Sequence, residues 1–455
     1  MDLNQLLTEY DDSLAGDMNV DPLGLLVIWS AFGQDIFRYR VSSISNDVRN
    51  YTLNLFHHCL IKELVEDETF TLGKALNATY DIKDSIDFKY ACLIYLENLF
   101  TYAMVARDTD PTVSKEGVLG IVKARGRWSN EDHNPTLLFG HKPESCILVR
   151  QTLLGVSGRY KTPLVQMGFF DKGYRYPLAS ASLWQKALRL LDTFPVYGAV
   201  RAHLRELLSQ GGVKTEIKFN SIPQEVKAGY VETFRSPAVV GGYAKDFWLE
   251  LSALDQGAAG ALYRGLAPAV LQGKKLPSAT LFAAAVDDKT LTAAEQLKIE
   301  RIRQLEPFLA ELDLMLTLLL SRKNQTLDEA AALWHQEFER NANTLPTACA
   351  EVKPLLPLLR ARSVTGERRL ARLLDVAAAG DIKTQMQALL DYHRSVMDER
   401  QQSPWLHLGS DGRLRLDVAS REKPKKQDRQ PGHWVNHYYI PQFRNLLQGL
   451  LGVAA

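Results

Sequence analysis

Residues Lys142 to Tyr176 have the sequence KPESCILVRQTLLGVSGRYKTPLVQMGFFDKGYRY. The apolar residues between Cys146 and Leu154 predict a short helix. Gly155 stands where that helix would end, because glycine tolerates the positive φ that often closes a helix. Thr162-Pro163 predicts a second helix start, with threonine as the cap and proline at the first helical position. We therefore expect two helices joined by a basic loop that contains glycine.

The loop between these two predicted helices suits a bound anion. Arg159 can fork onto phosphate oxygens, Lys161 adds a point charge, and Tyr160 can stack on a base or a sugar. The free N–H groups at the second helix start favour a phosphate there. The tetrapeptide LeuGlyValSer also resembles the turn of helix-turn-helix DNA readers, although Pro163 would then break the recognition helix. An ordinary corner with solvated Arg and Lys is the third interpretation.

Basic residues continue on either side of this stretch. Trp128 is interleaved with the first of them, and basic side chains among aromatics are typical of a nucleic-acid surface. The alternative is a solvated helix face that Trp128 anchors. The predicted nucleic-acid-binding residues are Lys123, Arg125, Arg127, Arg150, Arg159, Tyr160, Lys161 and Arg175. A second basic cluster comprises Arg360, Arg362, Arg368, Arg369 and Arg372.

Hydrophobic periodicity predicts a mainly α, multi-helical fold. Apolar residues recur at helical spacing from Phe88 to Ala103, which indicates a central core helix. Small β-hairpins are predicted near 213–234 and near 403–418, the second from its Asp-Gly turn. The predicted domains are an N-terminal helical domain (1–110), a central basic helical domain with a hairpin (111–286) and a C-terminal helical domain (287–455).

The C-terminal domain is expected to contain a mobile basic linker, 421–432, which has no large apolar residue. The helix that follows carries Tyr438, Phe443 and several leucines on one face. That face is expected to dock either on its own core or on a partner protein.

Composition limits the partners and the compartment. The chain has 455 residues and a formal net charge of +1, so local patches must carry any electrostatic argument. The four cysteines lie far apart without a CxxC pair, which argues against a zinc site and favours a reduced, cytoplasmic location. The N-terminus lacks the apolar core of a signal peptide. The apolar run from Leu23 to Phe32 is too short to span a bilayer, and no membrane is expected.

Catalytic signals are few, and a non-catalytic role is favoured. No phosphate-loop, dinucleotide, hydrolase-elbow or kinase motif occurs. His57 and His58 are adjacent on a predicted helix, so their side chains point apart. No carboxylate completes a set near His433 and His437, and no metal or cofactor is expected. Glu216 and Lys218 have the ExK form of a family of metal-dependent nucleases, in which carboxylates hold Mg²⁺ and lysine steadies the attacking water. No acidic residue on a preceding strand completes that set.

Two functional hypotheses remain. The first is nucleic-acid binding, DNA rather than RNA, by an accessory or scaffold subunit with protein partners. A large helical chain that is poor in motifs is similar to accessory subunits of bacterial restriction and phage-defence systems. The second hypothesis is a metal-dependent nuclease that uses Glu216 and Lys218.

Overall fold

The computed structural model describes residues 21–210 and 215–453. Within them the fold is mainly α with two small antiparallel sheets, which confirms the predicted class. In chain order the helices and strands are Leu26–Phe37 (α1), Val48–Glu66 (α2), Lys74–Tyr80 (α3), Ile86–Val105 (α4), Ile121–Asn130 (α5), Thr136–Phe139 (β1), Gln151–Leu154 (α6), Val156–Arg159 (α7), Lys161–Gln166 (α8), Ala181–Leu191 (α9), Pro195–Gln210 (α10), Thr215–Lys218 (β2), Gln224–Phe234 (α11), Pro237–Ser252 (α12), Gly257–Leu271 (α13), Ser278–Val286 (α14), Ala293–Leu319 (α15), Leu327–Ala332 (α16), Thr344–Val352 (α17), Leu356–Arg360 (α18), Val364–Ala378 (α19), Ile382–Glu399 (α20), Leu406–Leu408 (β3), Leu414–Leu416 (β4) and Ile440–Leu450 (α21).

Contacts divide the described residues into two units, each discontinuous in sequence. Unit 1 comprises 21–37, 256–266 and 275–440. Unit 2 comprises 38–210, 215–255, 267–274 and 441–453. This grouping differs from the three consecutive domains expected from the sequence, which stay a prediction. Residues 1–20 of the predicted N-terminal domain lie outside the described part of the chain.

Helix α4 is the centre of unit 2, as its periodicity predicts. The Ser85 side chain caps it by accepting from the Phe88 N–H at 3.3 Å. From Phe88 to Val105 every residue except Tyr90 is buried. A helix that is buried on all sides must be covered by other elements, and α2, α5, α11 and β1 pack against it.

The sheet of unit 2 differs in detail from the predicted hairpin. Strand β2 lies in the predicted region, but its antiparallel partner is β1, with Leu137 opposite Ile217 and Phe139 opposite Thr215. The segment after Pro223, expected as the returning strand, is helix α11. The alternation in the sequence identified one strand correctly. It gave no information about a partner strand that lies far upstream.

Helix α21 docks on its own chain, which confirms one of the two sequence interpretations. Its apolar residues Phe443, Leu446, Leu447 and Leu450 are buried. Gly241 of α12 lies so close to Gly449 that a Cβ on Gly241 would fall on the Gly449 carbonyl oxygen. Two glycines thus allow the two helices to approach each other closely.

In unit 1 a buried carboxylate holds the segment before α21. Glu306 of α15 accepts four hydrogen bonds: from the backbone N–H groups of Val435 (2.7 Å) and Asn436 (2.8 Å), from the Trp29 indole (2.8 Å) and from the Tyr438 hydroxyl (2.8 Å). Burial raises the pKa of Glu306 to about 7. A buried carboxyl is tolerated only when its oxygens are hydrogen-bonded, and these four donors fix the path of the chain.

Residues 421–432, which the sequence predicts to be a mobile linker, form ion pairs with distant residues of unit 1. Lys423 pairs with Glu337 at 2.5 Å, and Arg429 pairs with Asp313 at 2.8 Å. The acidic partners lie 86 and 116 positions earlier in the chain. The segment has no large apolar residue to bury, and ion pairs with distant carboxylates hold it instead.

The hairpin predicted near 403–418 is present in unit 1. Leu406 lies opposite Leu416, and Leu408 lies opposite Leu414. Gly412 has a φ of 72°, which is why the turn needs glycine.

We expect Gly241→Ala to destabilise unit 2 and Gly242→Ala to leave it unchanged or more stable. The methyl group at 241 would meet the Gly449 carbonyl, whereas nothing lies within 4 Å of a Cβ at 242. Overpacking costs about 1–3 kcal/mol, while Ala is favoured over Gly inside a helix by about 0.5–1 kcal/mol. Urea denaturation of the two neighbouring variants measures the difference. Equal unfolding midpoints would contradict the close packing of α12 and α21.

Candidate nucleic-acid interface

The stretch that contains Gly155 folds around an internal carboxylate. Glu97 of α4 is 4% exposed, and its Oε1 accepts from the Ser157 N–H at 2.6 Å. Its Oε2 accepts from the Gln151 side-chain amide at 3.3 Å. Burial raises the pKa of Glu97 to about 7. The Ser157 N–H lies in the first turn of α7, within the loop predicted to hold a phosphate. It donates instead to a carboxylate of the same chain.

Gly155 ends α6 as predicted, but for a different reason. Its φ is −76°, so it does not need the left-handed freedom of glycine. A Cβ at this position would instead meet the Glu97 carboxylate and lie 2.6 Å from the Gln151 carbonyl oxygen. Glycine is required here because the chain passes directly against Glu97.

The helices of this stretch are shorter than the sequence predicts. The first covers only Gln151–Leu154, because Arg150 before it adopts a left-handed φ of 52°. The predicted loop is itself partly helical, as α7. The next helix begins at Lys161 rather than at the Thr162-Pro163 start. Helices of four to six residues are too short to serve as a recognition helix in a DNA groove, so the helix-turn-helix alternative is wrong.

Three of the predicted binding residues hold this stretch together. Tyr160 is 2% exposed, and its hydroxyl accepts from the Asp47 N–H at 3.1 Å. Arg159 donates from Nε to the Leu154 carbonyl at 2.9 Å. The Lys161 ammonium lies 4.2 Å from the centroid of the Tyr174 ring, and burial lowers its pKa.

The other predicted residues lie in more open surroundings. Arg125 forks onto the Asp108 carboxylate, with Nε to Oδ2 at 2.9 Å. Arg127 donates to the Cys146 carbonyl at 2.8 Å. Lys123 is exposed on α5, and no described residue pairs with it. Arg150 is exposed, and Arg175 pairs with Asp171 at 2.8 Å. A role of these residues in nucleic-acid binding stays a prediction.

An open cavity of about 400 Å³ in unit 2 brings aromatic and basic side chains together. Trp128 and Phe219 meet edge to face, with ring centroids 5.2 Å apart. The Lys227 ammonium lies 5.0 Å from the Phe219 centroid, and partial burial lowers its pKa. The lining is completed by Ala103, Ala106, Arg107, Asp132, His133, Asn220, Gln224, Ala228 and Val231.

One edge of this cavity has an unusual backbone. Asp132 and His133 both adopt left-handed conformations, with φ of 50° and 61°. Neither is glycine, and two such residues in succession cost free energy that the surrounding contacts must offset. The His133 N–H donates to the Trp128 carbonyl at 2.9 Å, which keeps the turn against the indole.

Residues from distant parts of the chain form the cavity, and the β1–β2 sheet aligns them. The Phe219 N–H donates to the Pro135 carbonyl at 3.0 Å, and the Asn220 N–H donates to the Asn134 side chain at 2.9 Å. Trp128 was recognisable from its basic neighbours. Phe219 and Lys227 carried no signal, because their position depends on an unpredicted strand pairing.

The proposed nuclease pair lies at the same sheet. Glu216 is exposed on β2 opposite Leu138. The Lys218 ammonium is 3.7 Å from the Glu131 carboxylate. Among the described residues, no group of three or more His, Cys, Asp or Glu side chains could hold a metal ion.

The candidate histidine pairs take part in packing. His57 Nε2 lies 3.1 Å from the Tyr230 hydroxyl, and burial lowers the pKa of His57 to about 3. His437 Nδ1 lies 3.2 Å from the Ser278 hydroxyl.

No protein-family model, no curated protein and no solved structure matches this chain. Across the described residues, no helix combines the length and the apolar character needed to cross a membrane.

We expect Glu97→Gln to remove part of the pH dependence of stability. A carboxyl whose pKa rises on folding stabilises the protein fully below its unfolded value. That stabilisation is lost as the pH rises through the folded value of about 7. The free energy of unfolding of wild type should therefore fall relative to the variant by on the order of 3 kcal/mol between about pH 4.5 and pH 8.

Urea titrations across this range measure that difference, and the histidines cancel because both proteins contain them. Glu306→Gln is the matched comparison in unit 1, where burial also raises the carboxyl pKa to about 7, so its pH profile should change in the same direction. Parallel pH profiles for wild type and Glu97→Gln would contradict a raised pKa at the buried Glu97 carboxyl.

Proposed function

We propose that unit 2 binds nucleic acid, DNA in preference to RNA, in the cavity beside Trp128. The observation that carries this proposal is the combination of an aromatic wall with two cations, Arg107 and Lys227, in one open cavity of about 400 Å³. Ligand pockets typically measure about 300–1,000 Å³. A single unstacked nucleotide is of a size to enter it.

Each part of a nucleotide has a counterpart in the lining. Trp128 is half-buried in the cavity lining, where its ring contacts Phe219 and His133, and we infer that the exposed part of the ring can stack on a base. A base stacked on an aromatic side chain gains about 1–3 kcal/mol. Arg107 and Lys227 suit the adjacent phosphates, and the amides of Asn220 and Gln224 suit the polar edge of a base.

The need to unstack a base favours single strands, and the small number of charges at the cavity favours moderate affinity. A base must leave its stack to reach Trp128, which costs least when it is already unpaired. Asp132 offsets part of the positive charge at the cavity. Lys123 lies on the same helix as Trp128 and can contact a neighbouring phosphate. Binding through so few phosphate contacts should depend only moderately on salt, because each contact adds about 0.7 to the slope of log K against log salt on a single strand.

We further propose that the protein is a non-catalytic, cytoplasmic accessory subunit of a bacterial multiprotein assembly such as a restriction or phage-defence system. The similarity of a large, motif-poor helical chain to such subunits supports the assembly. Four unpaired cysteines support the compartment. Affinity purification of the tagged protein from its host, with and without nuclease treatment, tests for protein partners that nucleic acid does not bridge.

Nuclease activity through Glu216 and Lys218 is not the function we favour. Both side chains are exposed on β2, and no candidate metal cluster occurs among the described residues.

We expect Trp128→Ala to weaken binding of a fluorescein-labelled oligothymidylate by about tenfold or more. Lys227→Gln should weaken it less and reduce the slope of log K against log salt by about 0.7, the value for one phosphate contact on a single strand. Fluorescence anisotropy in a salt series measures both quantities, and an RNA oligonucleotide of matched length tests the preference for DNA.

Two variants outside the cavity are the controls. Trp405→Ala removes a half-buried tryptophan of unit 1, and Lys245→Gln removes a half-buried lysine of α12. Both should bind as wild type does. Wild-type affinity in Trp128→Ala, or an equal loss in Trp405→Ala, would rule out the cavity as the binding site.

A further inference from the structure

Three arginines of α19 converge on one carboxylate of α20 in unit 1. Glu399 lies 3.3 Å from Arg368, 3.9 Å from Arg369 and 4.0 Å from Arg372. Within the described residues, these three guanidinium groups have no other carboxylate within ion-pairing distance. One negative charge cannot neutralise three positive charges.

The surplus persists when the neighbouring pair is included. Arg400 pairs with Asp21 at 3.6 Å, which leaves four arginines against two carboxylates. The Arg369 Nε is buried without a hydrogen-bond partner. A buried donor without an acceptor costs free energy, so this group of side chains is incompletely satisfied by its own chain.

Other contacts hold two of the three guanidinium groups in place. Arg372 lies 5.2 Å from the centroid of the buried Tyr392 ring. Arg369 donates to the Gly24 carbonyl at 3.2 Å, and Gly24 approaches so closely that a Cβ would lie 2.6 Å from the guanidinium. Side chains that are already ordered lose little conformational entropy when they bind an anion.

We propose that this arginine cluster, Arg368, Arg369 and Arg372, binds a phosphate group, for which Glu399 is an internal competitor. The guanidinium fork matches phosphate oxygens and can bind them in a bidentate manner. Arg368 and Arg372 have side chains that are 57% and 41% exposed, so a ligand can reach them. The phosphate belongs either to a free anion such as pyrophosphate or to a nucleic-acid backbone. The site does not depend on the Trp128 cavity.

Variants of the two charges should act in opposite directions. Glu399→Gln removes the competing anion and should tighten pyrophosphate binding by about threefold or more. Arg368→Gln removes a phosphate ligand and should weaken it by about tenfold. Arg394→Gln is the matched control, because Arg394 lies on the same helix as Glu399 but pairs with the exposed Asp391, 3.9 Å away. It should bind pyrophosphate as its parent does.

The experiment is isothermal titration of the full chain with pyrophosphate at constant ionic strength. All proteins carry Trp128→Ala and Lys227→Gln, so that the cavity of unit 2 cannot contribute. Thermal unfolding of each ligand-free variant checks that it is folded.

A second arm measures oligothymidylate anisotropy in the same proteins. Changes in pyrophosphate affinity alone identify a free phosphate as the ligand, and changes in oligothymidylate affinity identify a nucleic-acid backbone. The proposal is overturned if Glu399→Gln tightens the binding of neither probe. It is also overturned if Arg368→Gln and Arg394→Gln have equal effects.

Discussion

The carboxylate of Glu97 lies against the first turn of α7, and the path of Lys142–Tyr176 depends on it. A carboxyl buried in the centre of unit 2 must find donors, and the Ser157 N–H and the Gln151 amide supply them. Gly155 passes too close to Glu97 to carry a side chain. The same stretch continues to Tyr160, which is buried against α2. The part of the sequence that most suggests a ligand site is thus largely structural.

Glutamate side chains of the chain itself accept donors or pair with cations at three places. Glu97 occupies a helix N-terminus, Glu306 gathers four donors before α21, and Glu399 lies among three arginines. The first two are buried and have hydrogen-bond donors but no close cation among the described residues, and burial raises the pKa of each carboxyl to about 7. Glu399 is different, because it is exposed and outnumbered by cations. This contrast supports the proposal that the arginine cluster, rather than the glycine-containing stretch, binds a phosphate.

Local patterns in the sequence predicted individual helices and strands, but they did not predict pairings between distant segments. The core helix α4 followed from its periodicity, and the hairpin at 406–416 followed from Asp411-Gly412. The partner of β2 was not predictable, because a strand of four residues carries no information about which distant segment it pairs with. The lining of the cavity could be predicted only in part for the same reason. Trp128 was identified beside its basic neighbours, whereas Phe219 and Lys227 lie near it only because β1 pairs with β2. The lysines and arginines of 421–432 led to the prediction of a mobile linker. Composition alone does not show which distant carboxylates pair with them.

The central claim is that nucleic acid contacts the Trp128 cavity and not the glycine-containing stretch. Photocrosslinking of an oligonucleotide containing 5-iododeoxyuridine, followed by mass spectrometry of the adducts, tests both halves in one measurement. Adducts are expected at Trp128 or Phe219, with none at residues 155–162. Adducts at Tyr160, or none at either aromatic residue of the cavity under conditions where the oligonucleotide is bound, would contradict the account.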